Sequence, residues 1–176
     1  KARDRTEKVA SLVGKLRMTN YGIFELEAKP GPEIAGDMAF PLELHTDEPY
    51  RVDPPAITLF HVLAQSDEGG ASTLADGTHL AETLRRSDPE AFEILCTTPA
   101  RFHRTLQEGR CFEMQAPIIS RNRSGDVIGI RILDRGMAPV DVSLDEVLPF
   151  YGALRKLLAL IYSGESMITV KLQPGE

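Results

Sequence analysis

Between Arg101 and Leu133 the chain never sustains an apolar period long enough for an ordinary helix; its apolar residues fall into short runs cut by polar and glycine-containing stretches. Arg123-Ser124-Gly125-Asp126 is the clearest cut, a hairpin turn whose glycine takes the backbone conformation other residues resist. Further strand-like runs lie outside this region. Tyr21 to Ala28 reads as extended, and Lys29-Pro30-Gly31-Pro32 then opens a loop. Ile57-Thr58-Leu59-Phe60-His61-Val62-Leu63 suits a buried strand. Ser72 to Ala75 follows the turn Asp67-Glu68-Gly69-Gly70, and Met167 to Leu172 precedes the turn Gln173-Pro174-Gly175-Glu176.

Helical signals are gathered in a few places. Val9, Leu12, Val13 and Leu16 share one face of an amphipathic helix over 6–17. Asp76 is placed to cap a helix through Arg86, and Asp88 with Pro89 opens another through Leu95. Ser143 and Glu146 form a capping-box pair before a long apolar helix around Leu154 to Ile161, which Pro149 should start or kink. Many short strands buttressed by a few helices make the fold class α+β, with a β-sandwich or barrel core. The 176 residues read as a single domain, and the closing turn should lead into another strand, so the domain is expected to be incomplete at both ends.

With 42% hydrophobic and 26% charged residues, the composition is that of a globular protein. A net charge of -6 argues against a nucleic-acid or anionic-membrane surface and favours small solutes as partners. Cys96 and Cys111 are too few and too far apart for a metal or disulfide framework, which favours a reducing, cytoplasmic setting. The longest greasy stretch, Leu157 to Tyr162, is far too short to span a bilayer. The chain opens without methionine or a signal-peptide pattern, so its natural start is expected upstream.

Chemistry concentrates at Leu42-Glu43-Leu44-His45-Thr46-Asp47-Glu48-Pro49-Tyr50. Read as a strand running into a Pro-Tyr turn, this stretch puts His45 and Asp47 on the same side, where imidazole and carboxylate can reach one metal ion. They would make two thirds of a two-histidine, one-carboxylate iron site.

The pair does not stand alone. Thr19-Asn20-Tyr21-Gly22, His45 to Tyr50, Pro54-Pro55, Gly69-Gly70-Ala71-Ser72-Thr73-Leu74-Ala75-Asp76-Gly77, Asp88-Pro89-Glu90-Ala91-Phe92 and Pro149-Phe150-Tyr151 form an ordered series. This series, spanning about Arg17 to Glu176, resembles the taurine-dioxygenase-like Fe(II)- and 2-oxoglutarate-dependent oxygenases, in particular their γ-butyrobetaine hydroxylase branch. The resemblance implies a double-stranded β-helix, or jelly roll, with flanking helices. It also implies an enzyme that uses Fe(II), O2 and 2-oxoglutarate, which is decarboxylated to succinate, to hydroxylate a C–H bond of a small metabolite. A facial ligand set leaves positions open for the keto acid and O2.

Carried over by position, the resemblance makes His45 and Asp47 the metal ligands. Ser72, with Thr73 beside it, takes the hydroxyl position that meets the distal carboxylate of 2-oxoglutarate, and Tyr21 lines the substrate pocket. An ordinary turn hydroxyl and a core aromatic are the plain alternatives for Ser72 and Tyr21. The third metal ligand and the 2-oxoglutarate arginine belong to strands beyond the C-terminal turn, so the jelly roll lacks its last strands within these 176 residues. His61 in a core strand, His79 in a helix and His103 in a variable strand are poor substitutes.

Two stretches depart from the betaine-binding pattern. Glu33-Ile34-Ala35-Gly36-Asp37 stands where Asn-x-x-Tyr is expected, and Leu133-Asp134-Arg135 where paired asparagines are expected. With 6% aromatic residues and no tryptophan, a cage for a quaternary ammonium is weakened. Acids at Asp37 and Glu48 suit an amine that donates hydrogen bonds, and Arg135, next to Asp134 in the substrate set, supplies a clamp for a phosphonate, sulfonate or carboxylate. Solvated loop charges are the plain alternative for all of these. The substrate expected is therefore a small zwitterion, betaine-, aminophosphonate- or sulfonate-like. The rival reading is a noncatalytic jelly-roll module for binding or oligomerisation. The helix from about Asp145 to Ser163 offers apolar faces on which a homodimer could form.

Overall fold

The computed structural model describes residues 2–17, 41–106 and 109–176. The chain falls into two compact units, one built from Lys1–Glu43, Pro55–Gly70 and Lys171–Glu176, the other from Leu44–Pro54 and Ala71–Val170. The expected extended run Tyr21 to Ala28 lies outside the described residues.

In the first unit, α1 covers Ala2–Val13 rather than 6–17. It stops before Gly14, because a glycine adds backbone entropy cost of about 1 kcal/mol to a helix and no side-chain packing. Its expected packing face is on the surface, with Val9, Leu12 and Val13 all well exposed. The strand expected over Ile57 to Leu63 does not form. Val62 is buried, whereas Ile57, Leu59, Phe60 and Leu63 are exposed. A strand needs a partner along its length, and residues 57–63 carry no ladder; Val62 donates its N–H to Glu176 O at 2.9 Å and accepts from Gly175 N at 2.8 Å. His61, expected in the core of that strand, is half-buried, with Nδ1 2.5 Å from the Thr6 hydroxyl. The Asp67-Gly70 turn is real: Gly69 and Gly70 have φ 71° and 68°, and Lys171 Nζ donates to Asp67 O at 2.8 Å.

The second unit begins its regular structure with β1, Ser72–Ala75. The helices α2, Gly77–Ser87, and α3, Pro89–Thr97, follow. Then come β2 Pro99–Thr105, β3 Cys111–Pro117, β4 Ile119–Arg121 and β5 Val127–Ile130. A single 3-10 turn, Asp134–Gly136, leads to β6, Met137–Ala138. The long helix α4, Leu144–Ile161, and β7, Met167–Val170, complete it. All pairing is antiparallel, in three small sheets ordered β1-β7, β3-β2-β6 and β4-β5. Among the described residues no sheet closes into a barrel, so the mixed α and β class is present as three separate sheets.

Local chemistry accounts for the boundaries. Asp76 accepts from His79 N at 2.9 Å and Asp88 from Ala91 N at 3.0 Å, each satisfying a donor that the first helical turn leaves open. Ser143 N donates to the Glu146 carboxylate at 3.1 Å, completing the capping box. That box starts α4 five residues before Pro149, which lies inside the helix instead of opening it. The β4–β5 hairpin turns where expected, with Gly125 at φ 90° and Asp126 N donating to Asn122 Oδ1 at 2.9 Å. The strand expected over Met167 to Leu172 ends at Val170, its last partner being Ser72.

The core of this unit lies between the helices and the sheets: Phe92, Phe102, Phe150, Leu84, Leu95, Ile118, Ile119 and Leu157 are fully buried. Phe92 carries two guanidinium groups, Arg85 at 4.3 Å and Arg121 at 5.5 Å from its ring centre. Arg121 is held there by a bidentate pair with Glu93 at 2.7 and 2.9 Å. Truncating Phe92→Ala should cost about 3–5 kcal/mol of unfolding free energy, measured by urea titration; a loss below 1 kcal/mol would be inconsistent with this packing.

Asp88 serves three helices at once. Its N–H ends α2 on Leu84 O at 2.7 Å, its Oδ1 caps α3, and its Oδ2 pairs with Lys156 of α4. The Lys156 ammonium first, and the Ala91 N–H second, hold its carboxyl below the ordinary value of 3.8. Because the folded state is the weaker proton binder, this stabilisation is complete above pH 3.8 and fades as pH falls through the lower folded value. Asp88→Ala should therefore lower Tm by several degrees at pH 7, and the gap from the unsubstituted protein should narrow in an acid titration below pH 3.8. A gap that stays constant into acid would refute the ionic part of the interaction.

Candidate metal centre

The stretch Leu42 to Asp47, expected as a strand carrying the pair, forms bends with no ladder, and the expected Pro49-Tyr50 turn follows it. At Thr46 a side chain interrupts the backbone pairing. Thr46 N donates to Ile132 O at 2.7 Å, but the return bond from Ile132 N goes to Thr46 Oγ1 at 3.0 Å, not to a backbone carbonyl. The hydroxyl replaces the carbonyl that an antiparallel ladder would use, and the pairing ends there. The chain then turns sharply: Glu48 has φ 48°, Pro49 occupies the second turn position that its ring favours, and Arg51 N closes the turn on Glu48 O at 3.0 Å.

His45 and Asp47 flank Thr46, and the structure does bring them together. His45 Nε2 lies 3.6 Å from Asp47 Oδ1, with the imidazole a quarter exposed and the carboxylate half exposed. That separation is too long for a hydrogen bond between them. Two metal–ligand bonds of about 2.1 Å can span up to about 4.2 Å, so both donors can reach one divalent ion. An imidazole with an anionic oxygen is a borderline-hard set, suited to iron among the first-row metals. Among the described residues, no group of three or more His, Cys, Asp and Glu converges on one point. His79 is exposed on α2 and His103 exposed on β2.

The turn beyond the pair is built into the unit. Pro49 and Tyr50 are buried, and Tyr50 packs 6.0 Å from the Phe112 ring. Arg131 holds three successive parts of the turn: its Nη1 donates to Pro49 O at 2.8 Å and Arg51 O at 2.7 Å, and its Nη2 to Val52 O at 3.0 Å. Burial lowers its pKa from the ordinary guanidinium value, with Asp53 opposing the shift. Neither Thr46 nor Arg131 figures among the site residues read from the sequence. Thr46 is hidden between two residues of plainer chemistry, and Arg131 is one of 20 Lys and Arg with nothing nearby in sequence to mark it.

The other expected residues are distributed as follows. Ser72 is half-buried and Thr73 exposed on β1, paired with Val170 and Thr169. Neighbours on a strand face opposite ways, so only one of the two hydroxyls can serve a given site. Glu48 spends its carboxylate on Arg51 at 3.1 Å. Asp134 and Arg135 are exposed on the 3-10 turn just after Ile132 and Leu133. Tyr21 and Asp37 lie outside the described residues. An open groove of about 550 Å³ lies elsewhere, lined by Cys96, Ser120, Arg121, Asn122 and Arg123 among others, and holds none of the expected site residues. Cys96 and Cys111 are unpaired, and burial pushes the Cys96 thiol pKa up. No described helix is long and apolar enough to cross a membrane.

Gamma-butyrobetaine dioxygenase of Pseudomonas sp. (strain AK-1) is 31% identical over 169 residues, which is 96% of this chain and 44% of that protein. The human gamma-butyrobetaine dioxygenase is 31% identical over 173 residues, 96% of this chain and 45% of that protein. Trimethyllysine dioxygenase of Meyerozyma guilliermondii is 28% identical over 176 residues, 97% of this chain and 44% of that protein. The chain thus spans less than half the length of these curated relatives. Residues 3–176 match the family described as "Taurine catabolism dioxygenase TauD, TfdA family", and the chain belongs to it.

Proposed function

We propose that this chain is part of an Fe(II)- and 2-oxoglutarate-dependent dioxygenase that hydroxylates a C–H bond of a small zwitterionic metabolite. The observation that carries the reading is the pair of donors, His45 Nε2 and Asp47 Oδ1, 3.6 Å apart inside a stretch the dioxygenase family covers from residue 3 to 176. The fold that goes with it is the double-stranded β-helix, of which the antiparallel ladders described above would be parts.

When bound, iron would let O2 serve as the oxidant, one oxygen atom entering succinate as 2-oxoglutarate loses carbon dioxide and the other entering the substrate C–H bond as a hydroxyl. The chain's own residues bind and orient. His45 and Asp47 are proposed as two metal ligands, the one neutral and the other anionic, so that a divalent ion keeps positive charge with which to hold a keto acid. Ser72 is proposed to donate to the distal carboxylate of 2-oxoglutarate, with Thr73 on the opposite strand face as the alternative. Tyr21, Asp37, Glu48, Asp134 and Arg135 form the proposed substrate set. Of these, Arg135 offers the planar fork suited to a carboxylate, sulfonate or phosphonate. Relatives named for gamma-butyrobetaine and trimethyllysine support a small zwitterion as the class. A cytoplasmic setting completes the proposal.

The test uses the complete polypeptide, with γ-butyrobetaine, trimethyllysine, aminoalkylphosphonates and aminosulfonates offered in turn. One of them should stimulate succinate formation from 2-oxoglutarate. His45→Ala should reduce that rate by more than about 100-fold, beyond the 10–100-fold typical of residues one step removed from a metal, with the circular dichroism spectrum unchanged. No succinate with any of these compounds would sink the reading.

A further inference from the structure

A ligand-bearing segment without a ladder must be fixed by something else. Residues 41–50 lie outside any sheet, yet His45 and Asp47 converge. The fixing runs from the β4–β5 hairpin. Arg131 follows the last residue of β5, and its N–H donates to Ile118 O at 2.9 Å, tying it to the backbone just before β4. Ile118, Ile119 and Ile132 are buried, so this root is solid. From there two grips reach the metal pair. Ile132 takes Thr46, between the ligands, by three bonds: Thr46 N to Ile132 O at 2.7 Å, Ile132 N to Thr46 Oγ1 at 3.0 Å, and Thr46 Oγ1 to Ile132 O at 3.2 Å. Arg131 takes the turn after the ligands through the carbonyls of Pro49, Arg51 and Val52.

Charge and geometry make the second grip specific. Three carbonyl oxygens turned toward one point need several donors in a plane, and the guanidinium fork supplies them from a single group. A lysine brings the charge but not the planar fork. Freed from Arg131, the turn would have to leave those carbonyls to water, and the segment from Asp47 onward would lose its anchor on that side.

We propose that Arg131 is the positioning residue of the metal pair, clamping the 49–52 turn so that Asp47 is presented to the ion that His45 also binds. The proposal rests on the metal-binding reading of His45 and Asp47. Orientation of metal ligands by groups behind them is commonly worth 10–100-fold in metal affinity.

The experiment titrates the complete, metal-free polypeptide anaerobically with Co(II), following visible absorption, alongside thermal unfolding. Variants are Arg131→Met, Arg131→Lys and, as the ligand control, His45→Ala. Arg131→Met should raise the Co(II) Kd by about 10–100-fold and change the absorption envelope, and Arg131→Lys should recover only part of the affinity. Should Arg131→Met fail to fold, Arg131→Lys carries the test, with a Kd raised at least about threefold expected. A folded variant with lowered Tm but unsubstituted Co(II) affinity and spectrum would make Arg131 merely structural and overturn the proposal while leaving the metal site standing. Absence of Co(II) binding in the unsubstituted protein, or binding unaffected by His45→Ala, would overturn the metal-site reading and the proposal with it.

Discussion

Asp88 is where the helical half of the second unit is decided. Two helices meet end to end at this residue, so one must stop and the other start within a single peptide unit. That leaves donors and acceptors of both ends to be satisfied in the same small space. One side chain and its own N–H do this, and the remaining carboxylate oxygen reaches the third helix. Had the junction been a few residues longer, α2 and α3 could have splayed. Kept short, it presents Leu84, Phe92 and Leu95 to α4 and to the strands behind. The hairpin β4–β5 is then seated by Arg85, whose Nη2 donates to Gly125 O at 2.6 Å, and by the Arg121–Glu93 pair, whose guanidinium lies over Phe92. The stretch carrying His45 and Asp47 is held at the far end of that hairpin, through Arg131 and Ile132.

The ligand-bearing segment shows how a sheet can be replaced. A ladder would fix His45 and Asp47 by repeating backbone bonds, at the cost of holding every residue of 41–50 extended. Here a threonine hydroxyl mimics one carbonyl, and an arginine gathers three others. The backbone is thereby free to turn at Glu48 and to bury Pro49 and Tyr50 immediately after the carboxylate. The exposed Asp134 and Arg135 follow directly from Ile132, the partner of Thr46, so residues proposed for substrate and for metal share one short stretch of backbone.

What could be read in the sequence was local. Asp76, Asp88 and the Ser143–Glu146 box cap helices through contacts three residues apart, and Gly125 turns a hairpin whose two strands lie close in sequence. Each of these signals contains its own partner. The failures concern partners far along the chain. Ile57 to Leu63 has the composition of a buried strand, but composition cannot say whether another segment lies alongside, and no ladder runs along these residues. Leu42 to His45 looked extended because alternation marks a strand regardless of what its neighbour offers; the neighbour, Ile132, meets a hydroxyl instead of a carbonyl. Of the site, the convergence of His45 with Asp47 was legible from their spacing alone. Arg131 was not, since a guanidinium reaching back some eighty residues leaves no trace in its own surroundings.

The pairing of β1 with β7 carries a consequence for the order in which the chain assembles. Ser72 meets Val170 and Leu74 meets Ile168, so almost all of the second unit separates the two strands. A ribosome adding about 5–20 residues per second leaves β1 without its partner for several seconds after it emerges. In that interval Thr46 and Arg131 can already engage, because Ile132 is made well before Val170. During synthesis the partners that hold the His45–Asp47 turn are therefore available first, and the strand bearing Ser72 waits longer for its own partner.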